Sequence, residues 1–546
     1  MKKDMVELPK RTVIVSGKYV YYTESVNYVK ELKVSRPKRI SIGKLSDTGL
    51  LIPNNNYYKI FGINDDLIEP FNKSDSLSIG PNILIDTISE KYGLKEILSN
   101  IFDDYDKILD LATFMIMTED NKMQHFENYC YSHSLLSPSS FSDSTISKLF
   151  RDIKPKDIDL FMKSWVNVIP KDDIYIAYDS TNINTYGEGI DLAEYGHAKD
   201  NDELPQVNVS LGYNQTELVP MFYDIYPGSI IDNIECTKMV DRANSYGCKN
   251  VGFILDRGYF SLSNVKYFEE HNYEYIIMAK TNAAFIKEVK NEYGPYVKKG
   301  LDSFIKGHDI YGLTYKKKLF NTDKTQYVHL YFDPQRASSE AIKLQHKFQR
   351  YTESLEEMKS KKIKRKEDLV SFEKYFNLNF DNYGYFLNYS RKDSKFIEEL
   401  NNVGFFVIIT SKEMTATTAL EKYRDRDAVE KVFKMEKSYL GYDVFRVHSD
   451  EALEGKMFVS FIALILRNEI YKNSKEIYLK NKKEGTVPAV LNVINKLTLT
   501  RMSDDKYHCR YKLTSKQKKI FKAMNIDENH YYDRALEIAK NESILK

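Results

Sequence analysis

The segment Glu421 to Leu440, EKYRDRDAVEKVFKMEKSYL, has no Gly or Pro and carries Val429, Val432, Phe433 and Leu440 at helical intervals. That pattern predicts an α-helix. Tyr423, Arg426, Glu430 and Lys437 stand within it at offsets of 0, 3, 7 and 14, which at about 100° per residue places all four within an arc of roughly 60°. A hydroxyl, a guanidinium, a carboxylate and an ammonium on one face suit phosphate chemistry. Arg and Lys hold phosphate oxygens, Tyr donates to one, and Glu carries a metal ion that the phosphates also touch. The plainer reading is a solvated helix face, with Glu430 and Lys434 as an i,i+4 ion pair.

Two other carboxylates end β-branched and aromatic runs. IYIAYD, residues 174 to 179, delivers Asp179 and leads into the polar turn STNINTYG; VGFILD, residues 251 to 256, delivers Asp256 and leads into Arg257-Gly258. A strand tip fixes a carboxylate rigidly while leaving room for a substrate. Each aspartate alone is equally at home as a turn or helix-cap residue. Around them the pattern predicts strands at 206–211, 219–226 and 275–278 and helices at 234–246 and 262–271. The resulting order is β-β-β-α-β-α-β.

The spacing Tyr-x2-Arg-x3-Glu-x6-Lys resembles the signature of the DDE transposases of bacterial insertion sequences, and all four positions match. YGHAKDNDELPQV (195–207), PMFYDIYPGSIIDN (220–233) and ILDRGYFS (254–261) are similar to stretches of the same enzymes. The resemblance covers residues 170 to 475 and, less distinctly, TSKQKKIFKAMNI near the C-terminus. It implies an α/β fold: an RNase H-like mixed-sheet core with a large, mainly β insertion, N-terminal β-rich and helical modules, and a helical C-terminus. It also implies that Asp179, Asp256 and Glu430 are the catalytic and metal-binding acids, holding two Mg²⁺ ions, with Mn²⁺ as a substitute. Tyr423, Arg426 and Lys437 would grip the DNA end, with Arg257 as a further phosphate contact. The expected partners are double-stranded DNA, namely the terminal inverted repeats of its own element and the target, and a second copy of the chain in a synaptic homodimer. The expected reaction is cut-and-paste transposition through a hairpin end. The alternatives are a domesticated DNA-binding derivative and a structure-specific nuclease.

Composition sets the frame. A chain of 546 residues with 42% hydrophobic content builds several cored modules. With 80 Lys and Arg against 78 Asp and Glu, the net charge is +2, so a nucleic-acid surface has to come from local segregation of charge. Cys130, Cys236, Cys248 and Cys509 form no CxxC pair, which argues against a zinc site and a disulfide framework. The N-terminus MKKDMVELPK lacks an apolar leader, and the longest apolar run, Met457 to Leu466, is too short for a bilayer. The expectation is a cytoplasmic protein, with no membrane partner, associated with the nucleoid when bound to DNA.

Six modules follow. Residues 1–80 read as β-rich, with Arg36-Pro37-Lys38-Arg39 as a solvated loop or a phosphate contact. Residues 81–170 read as helical, with a possible helix-turn-helix and with Trp165 in the core. Residues 171–281 form the first part of the catalytic core. Because 174 positions separate Asp256 from Glu430, an insertion is required, placed at 282–400, with a charged helix and the basic run KSKKIKRK (359–366). Residues 401–475 return to the core and 476–546 are helical and Lys-rich, with Leu491, Ile494 and Leu497 on one stripe. His197 reads as a structural or DNA-contacting histidine.

Overall fold

The computed structural model describes residues 5–29, 34–46, 48–61, 73–91, 93–170, 174–196, 204–249, 251–280, 284–319, 324–361, 369–426 and 444–544. The chain divides into two compact units, 1–72 and 73–546. The first is an antiparallel sheet of β1 (Thr12–Val15), β2 (Tyr19–Val29), β3 (Val34–Leu45) and β4 (Leu51–Pro53), closed over Val20, Ile42, Leu51 and Tyr57. Residues 36–39 are not a loop. They lie in β3, where Pro37 faces Val26 beside a register shift between Thr23 and Ser25, and Lys38 pairs with Glu24 at 2.6 Å.

The second unit starts at β5 (Ser76–Ser78) and is built on one large mixed sheet. Three strands, β6 (Tyr175–Thr185), β7 (Gln206–Asn214) and β8 (Val219–Pro227), form an antiparallel meander. On the other side of β6, β9 (Gly252–Leu255) and β10 (Glu274–Met278) run parallel to it, reached through the helices Asp232–Ser245 and Leu262–Glu270. The order β8-β7-β6-β9-β10 is the RNase H-like core.

The insertion does not stand apart as a whole. Its strands β11 (Phe304–Ile305), β12 (Ile310–Lys317) and β13 (Gln326–Phe332) extend the same sheet. Only the helix Pro334–Ser360, the hairpin of β14 (Phe376–Phe380) with β15 (Phe386–Arg391), and their neighbours pack on a separate small core of Leu355, Tyr375, Phe376 and Phe386. The chain then returns as β16 (Phe405–Thr410), inserted antiparallel between β10 and β13. Since β16 is buried at every position, its unbroken FFVIIT run is what a central strand needs.

The helices between Gly80 and Val168 pack around the helix Asp450–Lys480, the longest among the described residues, together with the face of β8. Phe458 meets Phe102 and Phe161 with ring centroids 5.1 and 5.0 Å apart, and Phe461 meets Tyr223 at 5.1 Å. Trp165 is fully buried, its indole N–H donating to Pro220 O at 2.9 Å, as the sequence led us to expect. At the C-terminus Leu491, Ile494 and Leu497 are buried and close the fold. An unanticipated pairing joins the two ends of this unit, because β18 (Thr498–Arg501) lies between β5 and β19 (Tyr507–His508). Among the described residues no helix is long and apolar enough to cross a membrane.

Within the Asp450–Lys480 helix Lys456 is 1% exposed. Burial first, and then Arg446, pushes its ammonium down from its ordinary value to about 7, against the opposing pull of Asp120 and Asp143. Above that pH the folded chain has released a proton that the unfolded chain still holds, so this group's contribution to stability rises with pH up to its unfolded value near 10.5. Lys456→Met, of similar volume, removes the cost of burying the charge. We expect the variant to melt higher than wild type near pH 7 and the gap to shrink by pH ~10. Thermal melts at the two values measure this; an equal gap at both would show that the lysine does not lose its charge on folding.

Candidate active site

The parallel register between β6 and β9 ends with Tyr178 beside Leu255. The next residue on each strand is an aspartate, so Asp179 and Asp256 occupy neighbouring positions where β9 stops. Asp179 is not at a strand tip, as the sequence suggested. β6 runs on through Ser180–Thr185, paired with β7 as far as Asn184. The turn-forming tendency of STNINT is overridden because its polar side chains find partners across the sheet, Asn182 Nδ2 donating to Gln206 Oε1 at 2.7 Å. What opens the sheet is the end of β9, not the end of β6.

Asp256 begins the turn Asp256-Arg257-Gly258, and its Oδ1 accepts the Gly258 N–H. A Cβ at Gly258 would lie 2.8 Å from that oxygen, so a larger residue there would push the carboxylate aside. Arg257 is exposed beside it. The Asp179 side chain is 17% exposed, with Oδ1 accepting the Ser180 N–H at 2.9 Å and Oδ2 facing Arg426 Nη1 at 3.3 Å.

Arg426 is delivered by the helix Ala416–Asp425, which starts at the cap Thr415, whose hydroxyl accepts the Thr418 N–H at 3.1 Å. The helix thus begins five residues before Glu421, where the sequence pattern placed it. It is seated on the sheet by Ala416, Leu420 and Tyr423 against Ile254, Ile276, Tyr331 and Ile408, with Tyr331 Oη donating to Ala416 O at 2.7 Å. Tyr423 is only 8% exposed, its hydroxyl 3.7 Å from Met278 Sδ. Its ring lies 5.4 Å from the Arg426 guanidinium, itself 8% exposed. Two of the four signature residues are therefore brought to Asp179, one touching it and one behind. Glu430 and Lys437, with Lys434, fall outside the described residues, as do His197 and most of KSKKIKRK.

Other neighbours were not anticipated. Lys422 Nζ lies 4.2 Å from the Tyr175 ring centroid, and Arg424 Nη1 is 2.7 Å from His308 Nδ1 in the β11–β12 connection, so the insertion braces the signature helix. Beside Asp179, Ser180, Thr181 and Asn182 line a cleft of about 440 Å³ with Tyr195, Asn208 and Ser229. Here the end of YGHAKDNDELPQV meets PMFYDIYPGSIIDN, Gln206 Nε2 donating to Gly228 O at 3.2 Å; next to it Asn208 Nδ2 donates to Pro227 O at 3.1 Å and Ile230 O at 3.0 Å. On β8, Asp224 is paired with Arg242; burial pushes its carboxyl up to about 6, with Arg242 opposing.

Chemically the described part of the site offers two aspartates and one guanidinium already engaged with one of them. Among the described residues no group of three or more His, Cys, Asp or Glu side chains is placed to hold a metal ion. A donor set of carboxylate oxygens suits hard divalent cations.

Comparison with known proteins places residues 170–466 in a match to the family described as "Transposase DDE domain". No curated protein matches the chain in sequence. Among solved structures, the cryo-EM structure of a piggyBac transposase synaptic complex with hairpin DNA is similar at 10% identity over 85% of each chain, with a TM-score of 0.37.

Proposed function

We propose, for a chain that belongs to the transposase DDE domain family, that it is the cut-and-paste transposase of a bacterial insertion sequence, cleaving and joining DNA by in-line phosphoryl transfer. The observation that carries this is the β6–β9 register, which sets Asp179 beside Asp256, with Arg426 closing on Asp179. Glu430 is the third acid of the proposal. It stands four residues after Arg426 in the sequence. The chain that carries it is tied back to the same strand, because β17 (Val444–Phe445) pairs with Asn184–Thr185 of β6.

Asp179, Asp256 and Glu430 would hold Mg²⁺, or Mn²⁺ in its place. Bound there, two such cations would supply Lewis acidity to the scissile phosphate and to the attacking and departing oxygens. The rest is positioning by the chain. Asp179 and Asp256 are fixed by the Ser180 and Gly258 amides, and Arg426 stands where it meets both a carboxylate and an incoming phosphate oxygen. Tyr423, turned into the sheet, supports Arg426 more than it grips DNA, while exposed Arg257 and Lys437 take phosphates of the DNA end. Water first releases a 3′-hydroxyl, which then attacks the opposite strand to form the hairpin. The substrates are the element's inverted repeats and target DNA, held by a homodimer.

The test is incubation of purified protein and Mg²⁺ with a labelled duplex carrying the inverted repeat and its flank, resolved on a denaturing gel. Nicks at the repeat boundary followed by hairpin product are the expected outcome. Specific binding with no cleavage under any divalent metal would instead identify a DNA-binding derivative, and cutting without regard to the boundary a nuclease.

A further inference from the structure

The strand that carries Asp179 also leads to a second feature. Beyond β17 the chain continues as Arg446-Val447-His448-Ser449 into the Asp450–Lys480 helix. Val447 is buried and anchors this segment, whereas Arg446 and His448 are exposed on either side of it. The backbone is pinned against the turn after β6, since a Cβ at Gly187 would lie 2.5 Å from Val447 O. Facing the segment across a groove of about 550 Å³ are Lys122 and the helix Asp143–Asp152, which contributes Arg151; Ile146 and Phe150 form apolar lining.

We infer that this groove binds the phosphate backbone of the DNA duplex under processing, through Arg446, Arg151 and Lys122. The inference rests on the transposase reading of the Asp179 site and adds to it a place for the duplex beyond the reacting phosphate. Three cations and His448 line the groove against one acid, Asp143. Two further acids stand at its edge: Asp120 lies 3.5 Å from Lys122 and 3.3 Å from His125, so Lys122 is shared with it, and Glu451, in the first turn of its helix, has its carboxyl held low first by local hydrogen bonds and then by Lys154 and Arg151. Arg446 and Arg151 have no ion pair within 4 Å among the described residues, and the Arg151 side chain donates from Nε to Ser147 O at 3.1 Å. Lys456 lies buried one turn beyond the groove residue Ala452, and it too has no ion pair or side-chain hydrogen bond among the described residues. Burial and Arg446 favour its neutral form while Asp120 and Asp143 favour its charged form, so it adds a partial positive charge behind the groove.

Distance supports a duplex. Asp179 and Thr185 are six residues apart on β6, or about 20 Å along a strand, and β17 delivers Arg446 beside Thr185. A duplex whose reacting phosphate is at Asp179 covers that span in about six base pairs at ~3.4 Å each. Free phosphate shares the chemistry but not the span, so a footprint at fixed register separates the two.

The experiment uses the full chain. Binding of an inverted-repeat duplex is measured against salt for wild type, for Arg446→Ala/Arg151→Ala and for Arg446→Lys/Arg151→Lys, with melting curves to verify folding. Each phosphate contact contributes about 0.9 to the slope of log K against log salt, so the double alanine variant should lose nearly two units of slope while the lysine variant keeps it. Ethylation interference should show protected phosphates about six base pairs from the cleavage point in wild type, lost in the alanine variant. An unchanged slope and footprint in a folded alanine variant overturns the groove. Competition by inorganic phosphate with no footprint assigns the groove to a free anion and also overturns it. If wild type binds duplex with the predicted slope but never cleaves it, the proposed chemistry fails and the groove stands.

Discussion

Replacing Glu430 with Gln should abolish strand cleavage while leaving the fold and end binding nearly intact. Gln keeps the size and hydrogen-bonding reach of Glu but removes the charge that a hard cation needs, and a site left with two carboxylates loses much of its hold on metal. The expected loss is about 10³-fold or more, on the order of 4 kcal/mol of barrier. Asp179→Asn and Asp256→Asn should fall into the same class. The denaturing gel at the repeat boundary reads cleavage and a gel shift reads binding. Full cleavage by Glu430→Gln would remove it from the metal site; loss of binding together with cleavage would mean that the acid acts on the fold.

Arg426→Ala should weaken end binding and hairpin formation together. This guanidinium is 8% exposed, faces Asp179 at 3.3 Å and lies 5.4 Å from the Tyr423 ring. Removing one partner of a buried pair leaves the other charge uncompensated, at a cost of about 3 kcal/mol or somewhat more. A drop in melting temperature should therefore accompany the chemical defect. Arg426→Lys restores the charge but not the planar fork, so it should recover stability more fully than hairpin yield. Unchanged hairpin yield in Arg426→Ala would refute the assigned role.

Much of this architecture can be read locally. The runs that become β7, β8 and β10 are β-branched or aromatic, and their observed bounds lie within a few residues of those expected. Trp165 and the apolar stretch Met457–Leu466 reveal their burial by their neighbours alone. The signature helix shows its periodicity from Glu421, but its first turns, ATTAL after the Thr415 cap, carry β-branched Thr417 and Thr418 and no charged face, so only the structure shows where it starts. β6 was cut short for the opposite reason: Ser, Thr and Asn after Asp179 look like a turn until β7 supplies their hydrogen-bond partners.

The sequence by itself determined the chemical inventory and its order: Asp179 and Asp256 after strand-forming runs, and Tyr423, Arg426, Glu430 and Lys437 at helical spacing in the sequence. Residue type, spacing and periodicity within one element are enough for that. Only the tertiary structure decided that the aspartates are neighbours because β9 stops at Leu255, that Arg426 reaches Asp179 across 247 positions, and that Tyr423 turns into the sheet. It alone decided that the insertion's first strands belong to the core sheet and that β18 pairs with β5. These are matters of register and pairing between segments far apart in the chain. Such choices are set by which faces can be buried together, and no local window contains both faces.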